Sequence, residues 1–423
     1  MTETSVSHSH PVTVDEVVTT VIMSRVTDYF GFFVYAIASA LVFPRLFFPN
    51  FSPVTGMLLS FAVFSLAFIV RPIASMLGRK IQRKIGRPGK IVIAVIFLGA
   101  STMAIGFLPG YEKIGWWAPA LLAFLRIMQG LGLGGSWDGI TLQLQSAAPE
   151  GRKGIYAMVP QLGGPIGFCV AASLFFVLTG FLTEEEFMSF GWRFAFFGVL
   201  ATNVVSLFAR LRLMTADFGA ARVSTQSAPF IPLLRTQWKP ILISTMIPLA
   251  SYALFHMVTV FPLGYVILYS DRPISSILLL QMAGGSLAVL SVIASGVLAD
   301  MFSRRWVILV STSLIPILCL TITTLDTYPA VYIILGMILL GLSIGQSSAI
   351  VPDRYPPAYS YSGTALSTNL SWIVGAAFAP LVGMGLTAAF GLWAAALYLL
   401  SGVIVTHVTL YLLKRQEQVR ATS

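Results

Sequence analysis

Charge is scarce in this chain. Only 10% of its 423 residues are Asp, Glu, Lys or Arg, whereas 57% are hydrophobic, and the mean hydropathy is +0.85. Soluble globular domains carry about 25% charged residues, so the composition excludes an ordinary water-soluble fold. Lipid is therefore the expected solvent for most of the chain.

Cysteine is also rare, and the motifs of common enzyme sites are missing. Cys169 and Cys319 both fall within apolar stretches and have no cluster of metal-ligating residues around them, so we predict no disulfide, no metal and no cofactor. No nucleophile triad or nucleotide motif is visible. The glycine-rich run 130–135 has no Lys-Ser or Lys-Thr after it, and it favours close helix packing over phosphate binding. These absences argue against an enzyme.

What the chain does have is a series of apolar stretches, each long enough to cross a bilayer as a helix, which takes about 20 residues. We predict an all-α polytopic membrane protein with 12 transmembrane helices. The stretches lie near 18–43, 54–77, 91–109, 118–144, 155–181, 193–213, 240–269, 275–299, 307–325, 329–350, 362–387 and 391–413.

Positive charge between these stretches falls almost entirely on one side. The other side keeps only Arg45, Lys113, Arg193 and Arg272. Cytoplasmic loops are the ones enriched in Lys and Arg, so both termini are predicted to be cytoplasmic. The net charge of +10 is then a topology signal and an attraction to anionic lipid, and it does not indicate nucleic-acid binding.

A long hydrophilic segment divides the apolar stretches six and six. The loops after the second and eighth stretches align at a displacement close to half the chain length, which indicates an internal repeat. We therefore predict two six-helix bundles with a substrate site between them, the layout of a rocking transporter. The predicted parts are a cytoplasmic tail 1–17, a first bundle 18–213, a cytoplasmic linker 214–239, a second bundle 240–413 and a cytoplasmic tail 414–423.

Two stretches carry charge where little is expected: Arg25 and Asp28 in the first, Arg126 and Asp138 in the fourth. A charge near the bilayer centre costs roughly 2.5–3.5 kcal/mol on insertion scales unless it faces a cavity or a partner. From their depths along antiparallel helices we predict two ion pairs, Asp28 with Arg126 and Arg25 with Asp138. Static pairs that only hold the two helices together are the alternative.

Further polar residues within the apolar stretches are candidates for the same pathway. We predict that Gln161, His256, Asn369 and Trp372 bind substrate together with the two arginines. Helix packing explains Gln161, Asn369 and Trp372 almost as well, and His256 has the alternative of a neutral ring bonded to a neighbouring helix. Arg71 either binds substrate or extends to the membrane interface.

Short motifs in a fixed order resemble the major facilitator superfamily, and within it the metabolite:proton symporter branch. They include the loop after the second stretch, the run from Arg126 through Trp137, and the loop from Gly296 to Arg305. Further matches are Phe32, Phe33, Tyr35, Arg71, Pro72, Pro160, Gln161, Leu162, Gly163, Pro165, Gly191, Trp192, Arg193, Tyr361 and Gly363.

The resemblance implies a major facilitator fold, alternating access and proton coupling, here through Asp28 and Asp138. It also implies gating loops at Arg79, Arg83, Arg87, Gly296, Asp300, Arg304 and Arg305. The chain departs from the branch at four places. Asp28 and Gly31 stand where Glu and Asp are usual, Ser136 replaces a Glu, Arg79 and Arg83 replace the Gly and Asp of the first loop, and Ser360 replaces an Arg.

Three intramembrane arginines against two aspartates make a net cationic pathway. An aspartate beside an arginine keeps its charge until a substrate anion competes for the cation. We therefore predict a secondary transporter of the bacterial inner membrane that moves a small organic anion, a carboxylate, with protons. Its partners are this anion, protons and the lipid bilayer, and a monomer supplies both halves. The alternatives are a proton-driven exporter, a carrier of a zwitterion such as a betaine, and a transport-dead substrate sensor.

Overall fold

A computed structural model of the protein describes residues 14–136, 140–215, 228–347 and 349–422. Within these ranges the structure is helical and contains no strand. Eleven of the described segments are long and apolar enough to cross a membrane. The prediction of an all-α polytopic membrane protein is confirmed.

The first half of the chain contributes six membrane helices. Helix Pro53–Phe107 contains two of them. The chain turns at Gly86, which has a φ of 77° and lies two residues before Pro88. Such a positive φ suits glycine, which has no Cβ to clash. The six are α1 (Val14–Leu41), α2 (Pro53–Gly78), α3 (Lys80–Phe107), α4 (Trp117–Gly135), α5 (Lys153–Phe181) and α6 (Arg193–Thr215).

The second half also contributes six membrane helices, one of which is interrupted. Helix Phe230–Met246 comes first and begins inside the segment predicted to be a linker. The membrane helices are α7 (Leu249–Tyr269), α8 (Ile274–Met301), α9 (Arg304–Ser313 followed by Ile315–Leu320 and the 3₁₀ turn Ile322–Leu325), α10 (Pro329–Ser347), α11 (Pro357–Phe390) and α12 (Ala396–Thr422).

The structure corrects two predicted spans: 240–269 begins within the separate helix Phe230–Met246, and 307–325 is not one continuous helix. The span 307–325 forms α9, whose pieces are each too short to cross a membrane alone. Pro316 lies at the start of the second piece, and proline is tolerated there because it has no N–H to donate. α9 packs against α8, α10 and α12 and completes the second bundle.

Small residues let helices approach closely within the first bundle. A Cβ on Gly130 would meet the backbone of Ala67, and one on Gly134 would meet the backbone of Arg71. α4 therefore lies directly against α2, as the glycine-rich run predicted. This contact fixes the height of Arg71 beside the end of α4.

The two bundles meet along α5 and α8, and also where α1 and α2 contact α7 and α11. We call the end that carries Arg83, Arg87 and Arg304 the basic end, and the end that carries Glu184, Glu185 and Glu186 the acidic end. Sequence alone predicts that the basic end is cytoplasmic.

Candidate functional site

A cavity lies between the bundles on the basic side of the molecule's middle. Its volume, including its solvent-filled opening, is about 1020 Å³. Both halves line it. The first half provides Arg25, Asp28, Tyr29, Phe32, Arg71 and Gln161, and the second provides Tyr252, Thr364, Thr368, Asn369 and Trp372. A polar cavity between two bundles is the expected place for a transported substrate.

The only carboxylate among the described lining residues, that of Asp28, is held by two arginines. Its Oδ2 accepts a hydrogen bond from Nη2 of Arg210 at 2.6 Å and lies 3.7 Å from Nη1 of Arg25. Arg210 comes from α6, has a side chain only 2% exposed, and also donates to the carbonyl oxygen of Ser24 at 3.2 Å. The pair fixes the basic half of α6 to α1.

The predicted pair between Asp28 and Arg126 is therefore wrong. Asp28 is engaged by Arg210, because α6 packs beside α1 and brings its arginine to the same height. From the sequence, Arg210 looked like one of the basic residues that flank a span on the cytoplasmic side. The other predicted pair, Arg25 with Asp138, cannot be placed because Asp138 lies outside the described residues.

Arg126 lies apart from the cavity and is 1% exposed. Its Nε donates to the carbonyl oxygen of Phe64 at 3.2 Å and its Nη1 to Oε1 of Gln129 at 3.0 Å. The guanidinium carbon stands 3.7 Å from the ring centre of Tyr35 and 4.9 Å from that of Phe64. Aromatic faces and neutral oxygens surround this cation in the described structure.

Arg71, for which the sequence predicted either substrate binding or a position at the membrane interface, lines the cavity. Its guanidinium carbon lies 5.5 Å from the ring centres of both Phe68 and Trp372. Within the described ranges the guanidinium has no hydrogen bond or ion pair, and its Nε is buried. A guanidinium whose donors are unused, beside a cavity, is suited to bind a carboxylate in bidentate fashion.

Three of the four remaining predicted binding residues line the cavity, and the fourth does not. Gln161, Asn369 and Trp372 face it. Nδ2 of Asn369 donates to Oγ of Ser75 at 2.8 Å, a contact between the two halves. His256 is fully buried nearer the acidic end, with Nδ1 3.4 Å from Oγ1 of Thr259.

The loop after α8 holds the two bundles together at the basic end. Asp300 accepts hydrogen bonds from the N–H groups of Gly154 at 2.5 Å and Ile155 at 3.1 Å, at the start of α5. Arg304 donates to the carbonyl oxygens of Lys153 and Ala349, each at 3.1 Å. A carboxylate at a helix N-terminus is stabilised by unpaired N–H groups and the helix dipole.

The other predicted gating residues differ in burial and in the contacts that they make. A Cβ on Gly296 would meet Met158, so this glycine permits α8 to lie directly on α5. Arg83 is exposed, Arg87 and Arg305 are half-buried, and the side chain of Arg79 lies outside the described part.

Contacts near the acidic end close the cavity from the other direction. Oγ of Ser65 donates to the carbonyl oxygen of Ala377 at 2.7 Å, and Gly264 packs against the ring of Phe61. Between these contacts and the cavity lies a cluster that we call the ring layer: Phe32, Phe64, Phe68 and Trp372, with adjacent ring centres 5.3–6.2 Å apart.

Comparison with known proteins gives the same architecture. The family model described as "Sugar (and other) transporter" matches residues 17–214. The inner membrane metabolite transport protein YhjE of Escherichia coli is 35% identical over 399 residues, 91% of this chain and 90% of that protein. The shikimate transporter of the same organism is 29% identical, covering 93% of each chain.

Among solved structures, the crystal structure of a D-xylose-proton symporter matches with a TM-score of 0.69 at 16% identity, covering 93% of this chain and 96% of that one. The similarity at this identity concerns the fold. Together with the helices and the relatives, it makes this chain a multi-pass inner membrane transport protein and not an enzyme. The chain belongs to the major facilitator superfamily of transporters.

Proposed function

We propose that this transporter moves a small organic anion, a carboxylate, in symport with protons by alternating access. The observation that carries the proposal is Arg71, a guanidinium that lines the cavity with unused donors within the described structure. Burying a cation in this way is costly unless an anion or water completes it. A substrate carboxylate on Arg71, with its body against Trp372 and Tyr252, fits the lining.

Proton coupling is assigned to Asp28. The charged and titratable groups that face it are Arg25 and Tyr29 on α1, Arg71 on α2 and Arg210 on α6. A substrate anion that reaches the cavity competes with Asp28 for Arg25. Asp28 then takes up a proton, and the pair moves through the membrane together.

We place the basic end in the cytoplasm with both termini, since Lys and Arg are retained on that side. The protein acts as a monomer, because one chain supplies both sides of the cavity. Asp138, predicted from sequence to share the proton pathway, remains a candidate beside Asp28.

The test is uptake into vesicles of labelled mono- and dicarboxylates, shikimate among them, with and without an inward proton gradient. We expect a carboxylate to accumulate only with the gradient. Arg71→Gln should lower its uptake at least tenfold, since it removes the guanidinium that binds the anion. Lys113→Gln, which removes an exposed cation in the loop before α4, is the matched control. Equal uptake by Arg71→Gln and the control would refute the binding role.

Asp28→Asn should abolish gradient-driven accumulation but leave exchange of substrate across the membrane. Because it leaves Arg210 buried without its acid, the double variant Asp28→Asn with Arg210→Gln serves as the charge-balanced form. Accumulation driven by a proton gradient in either variant would contradict the coupling role.

A carrier of a zwitterion is the second candidate, and one feature favours it. Tyr29, Tyr252 and Trp372 present aromatic faces to the same cavity as Arg71, and ring faces bind quaternary ammonium groups. A betaine would place its carboxylate on Arg71 and its ammonium group on these rings. Competition by betaine but not by acetate for the labelled substrate would select this candidate.

A further inference from the structure

Three buried polar groups lie beyond the ring layer, toward the acidic end. They are Nη2 of Arg126, the hydroxyl of Tyr35 and Nε2 of His256, and the described structure offers none of them a hydrogen-bond partner. Each side chain is at most 1% exposed. Buried polar groups are almost always paired, so three unpaired ones together require an explanation.

The three groups surround the same rings. Arg126 lies against Tyr35, Phe64 and Phe32. The ring of His256 has its centre 5.2 Å from that of Phe64 and 5.4 Å from that of Phe32. Phe64 therefore contacts both a cation from α4 and an imidazole from α7.

This cluster spans the contact between the two bundles. Arg126, Tyr35 and Phe64 belong to the first bundle, whereas His256 belongs to the second. The contacts that hold the bundles together at the acidic end are Ser65 with Ala377 and Phe61 with Gly264. They involve α2 and α7, which also carry Phe64 and His256. Separation of the bundles there would expose the cluster.

Resting on the proposed function, we propose that Arg126, Tyr35 and His256 form a second anion station, which binds the carboxylate of the incoming substrate when the acidic end is open. The anion accepts hydrogen bonds from Nη2 of Arg126 and from the Tyr35 hydroxyl. Gln129 orients the guanidinium, because its Oε1 accepts from Arg126 while its Nε2 donates to Thr102 at 2.7 Å.

The ring layer then separates two cation sites. Arg71 lies against Phe68 and Trp372 on the cavity side, and Arg126 lies against Phe32 and Phe64 on the other. The Arg71 site faces the basic side of the membrane, and the second anion station faces the acidic side. When the acidic end closes, the station loses its access to water, and the anion moves past the rings to Arg71.

The test measures the charge felt by a small reagent at the station and needs no knowledge of the substrate. In a protein with Cys169→Ser and Cys319→Ser, His256→Cys supplies a single thiol. The probes are two membrane-impermeant methanethiosulfonates, one anionic (a sulfonate) and one cationic (a trimethylammonium). The rate at which each reagent labels the protein is followed by mass spectrometry. It is divided by the rate at which the same reagent reacts with a small free thiol, which corrects for the intrinsic reactivity of the reagent.

Replacing either of two glycines by a larger residue should push the bundles apart, one at each end of the molecule. A Cβ on Gly264 would press on Phe61 at the acidic end, and one on Gly296 would press on Met158 at the basic end. We expect His256→Cys to react at least tenfold faster with Gly264→Leu than with Gly296→Leu. Thr364→Cys, which lines the cavity, should show the reverse order.

The deciding measurement is made with Gly264→Leu present. The anionic reagent should be preferred at His256→Cys, and Arg126→Gln should reduce this preference about tenfold, since a cation in a low-dielectric cleft concentrates anions. The preference at Thr364→Cys should not change with Arg126→Gln. An equal charge preference with and without Arg126, or no labelling of His256→Cys with either wedge, would overturn the station.

Variants are compared only as monodisperse protein in size-exclusion chromatography. If Gly264→Leu does not meet this criterion, Phe61→Ala, which removes the ring from the same contact, replaces it. Because labelling does not require transport, the two proposals fail separately. Absence of anion uptake with an intact charge preference would refute the proposed substrate class alone.

Discussion

The two junctions between the bundles at the basic end occupy equivalent places in the repeat but use different chemistry. At the junction of α5 with α8, the Asp300 carboxylate accepts from two backbone N–H groups. At the junction of α2 with α11, the contact is between neutral groups, Asn369 and Ser75. The position that matches Asp300 in the first-half loop is Arg83, which is exposed.

The helix that faces each loop differs as well. The N-terminus of α5 offers the N–H groups of Gly154 and Ile155 to Asp300. α11 begins at Pro357 after Pro356, and neither proline has an N–H group. Among the described residues, the α2–α11 junction thus has no carboxylate in the place of Asp300, and the start of α11 has fewer N–H groups to offer one. From this difference we predict that the α5–α8 junction holds the bundles together at the basic end more strongly than the α2–α11 junction does.

The largest expected effect follows from Asp300→Ala. Loss of a charged acceptor shared by two N–H groups should weaken the closed basic end by about 2–3 kcal/mol, roughly 30- to 150-fold in the opening equilibrium. The reporter is Met158→Cys in the cysteine-free protein, because Met158 is buried between α5 and α8. Its labelling rate from the basic end should rise accordingly.

The control for this variant is Asp353→Asn. The Asp353 carboxylate lies 3.4 Å from Arg304 and is 75% exposed, and exposed pairs contribute little. Labelling of Met158→Cys should change less than threefold. A similar rate in Asp300→Ala and Asp353→Asn would show that the carboxylate at the start of α5 does not hold the junction.

A smaller effect is expected at the neutral junction. Ser75→Ala removes the acceptor of Asn369 without changing the cavity charges, and a neutral hydrogen bond contributes about 1 kcal/mol. The same Met158→Cys reporter should speed up about fivefold, because the bundles open as rigid bodies. If Ser75→Ala opened the basic end as much as Asp300→Ala, the proposed difference between the junctions would be wrong.

Hydropathy predicted the membrane helices well, since a span is a property of one segment and needs no knowledge of its neighbours. It failed to predict the break in α9, although Pro316 marks the place where the helix restarts. It also merged the end of helix Phe230–Met246 with α7, because the two are apolar neighbours in the sequence. The similar loop sequences after the second and eighth stretches predicted the division into two halves.

Pairing of charges was predicted poorly, because it depends on how helices are arranged and rotated. Asp28 lines the cavity, but the arginine that binds its carboxylate, Arg210, comes from α6, and the position of α6 beside α1 depends on the tertiary structure. Arg126 was expected to face an acid and is instead packed on Tyr35. The aromatic run around Phe32 and Tyr35 was a signal for such packing, but sequence alone does not show which cation it receives.

The smallest expected effect concerns a neighbouring contact at the basic end, between α3 and α11. Nζ of Lys90 donates to the Tyr361 hydroxyl at 3.3 Å, and the lysine also lies 6.0 Å from the ring centre. Tyr361→Phe removes the hydroxyl but keeps the ring, so the lysine retains its aromatic contact. We expect Tyr361→Phe to raise the labelling rate of Met158→Cys less than threefold. Tyr361→Ala should raise this rate further, because it removes the ring as well. A rise as large as that caused by Asp300→Ala would contradict the predicted order, because the hydroxyl would then contribute as much as the carboxylate.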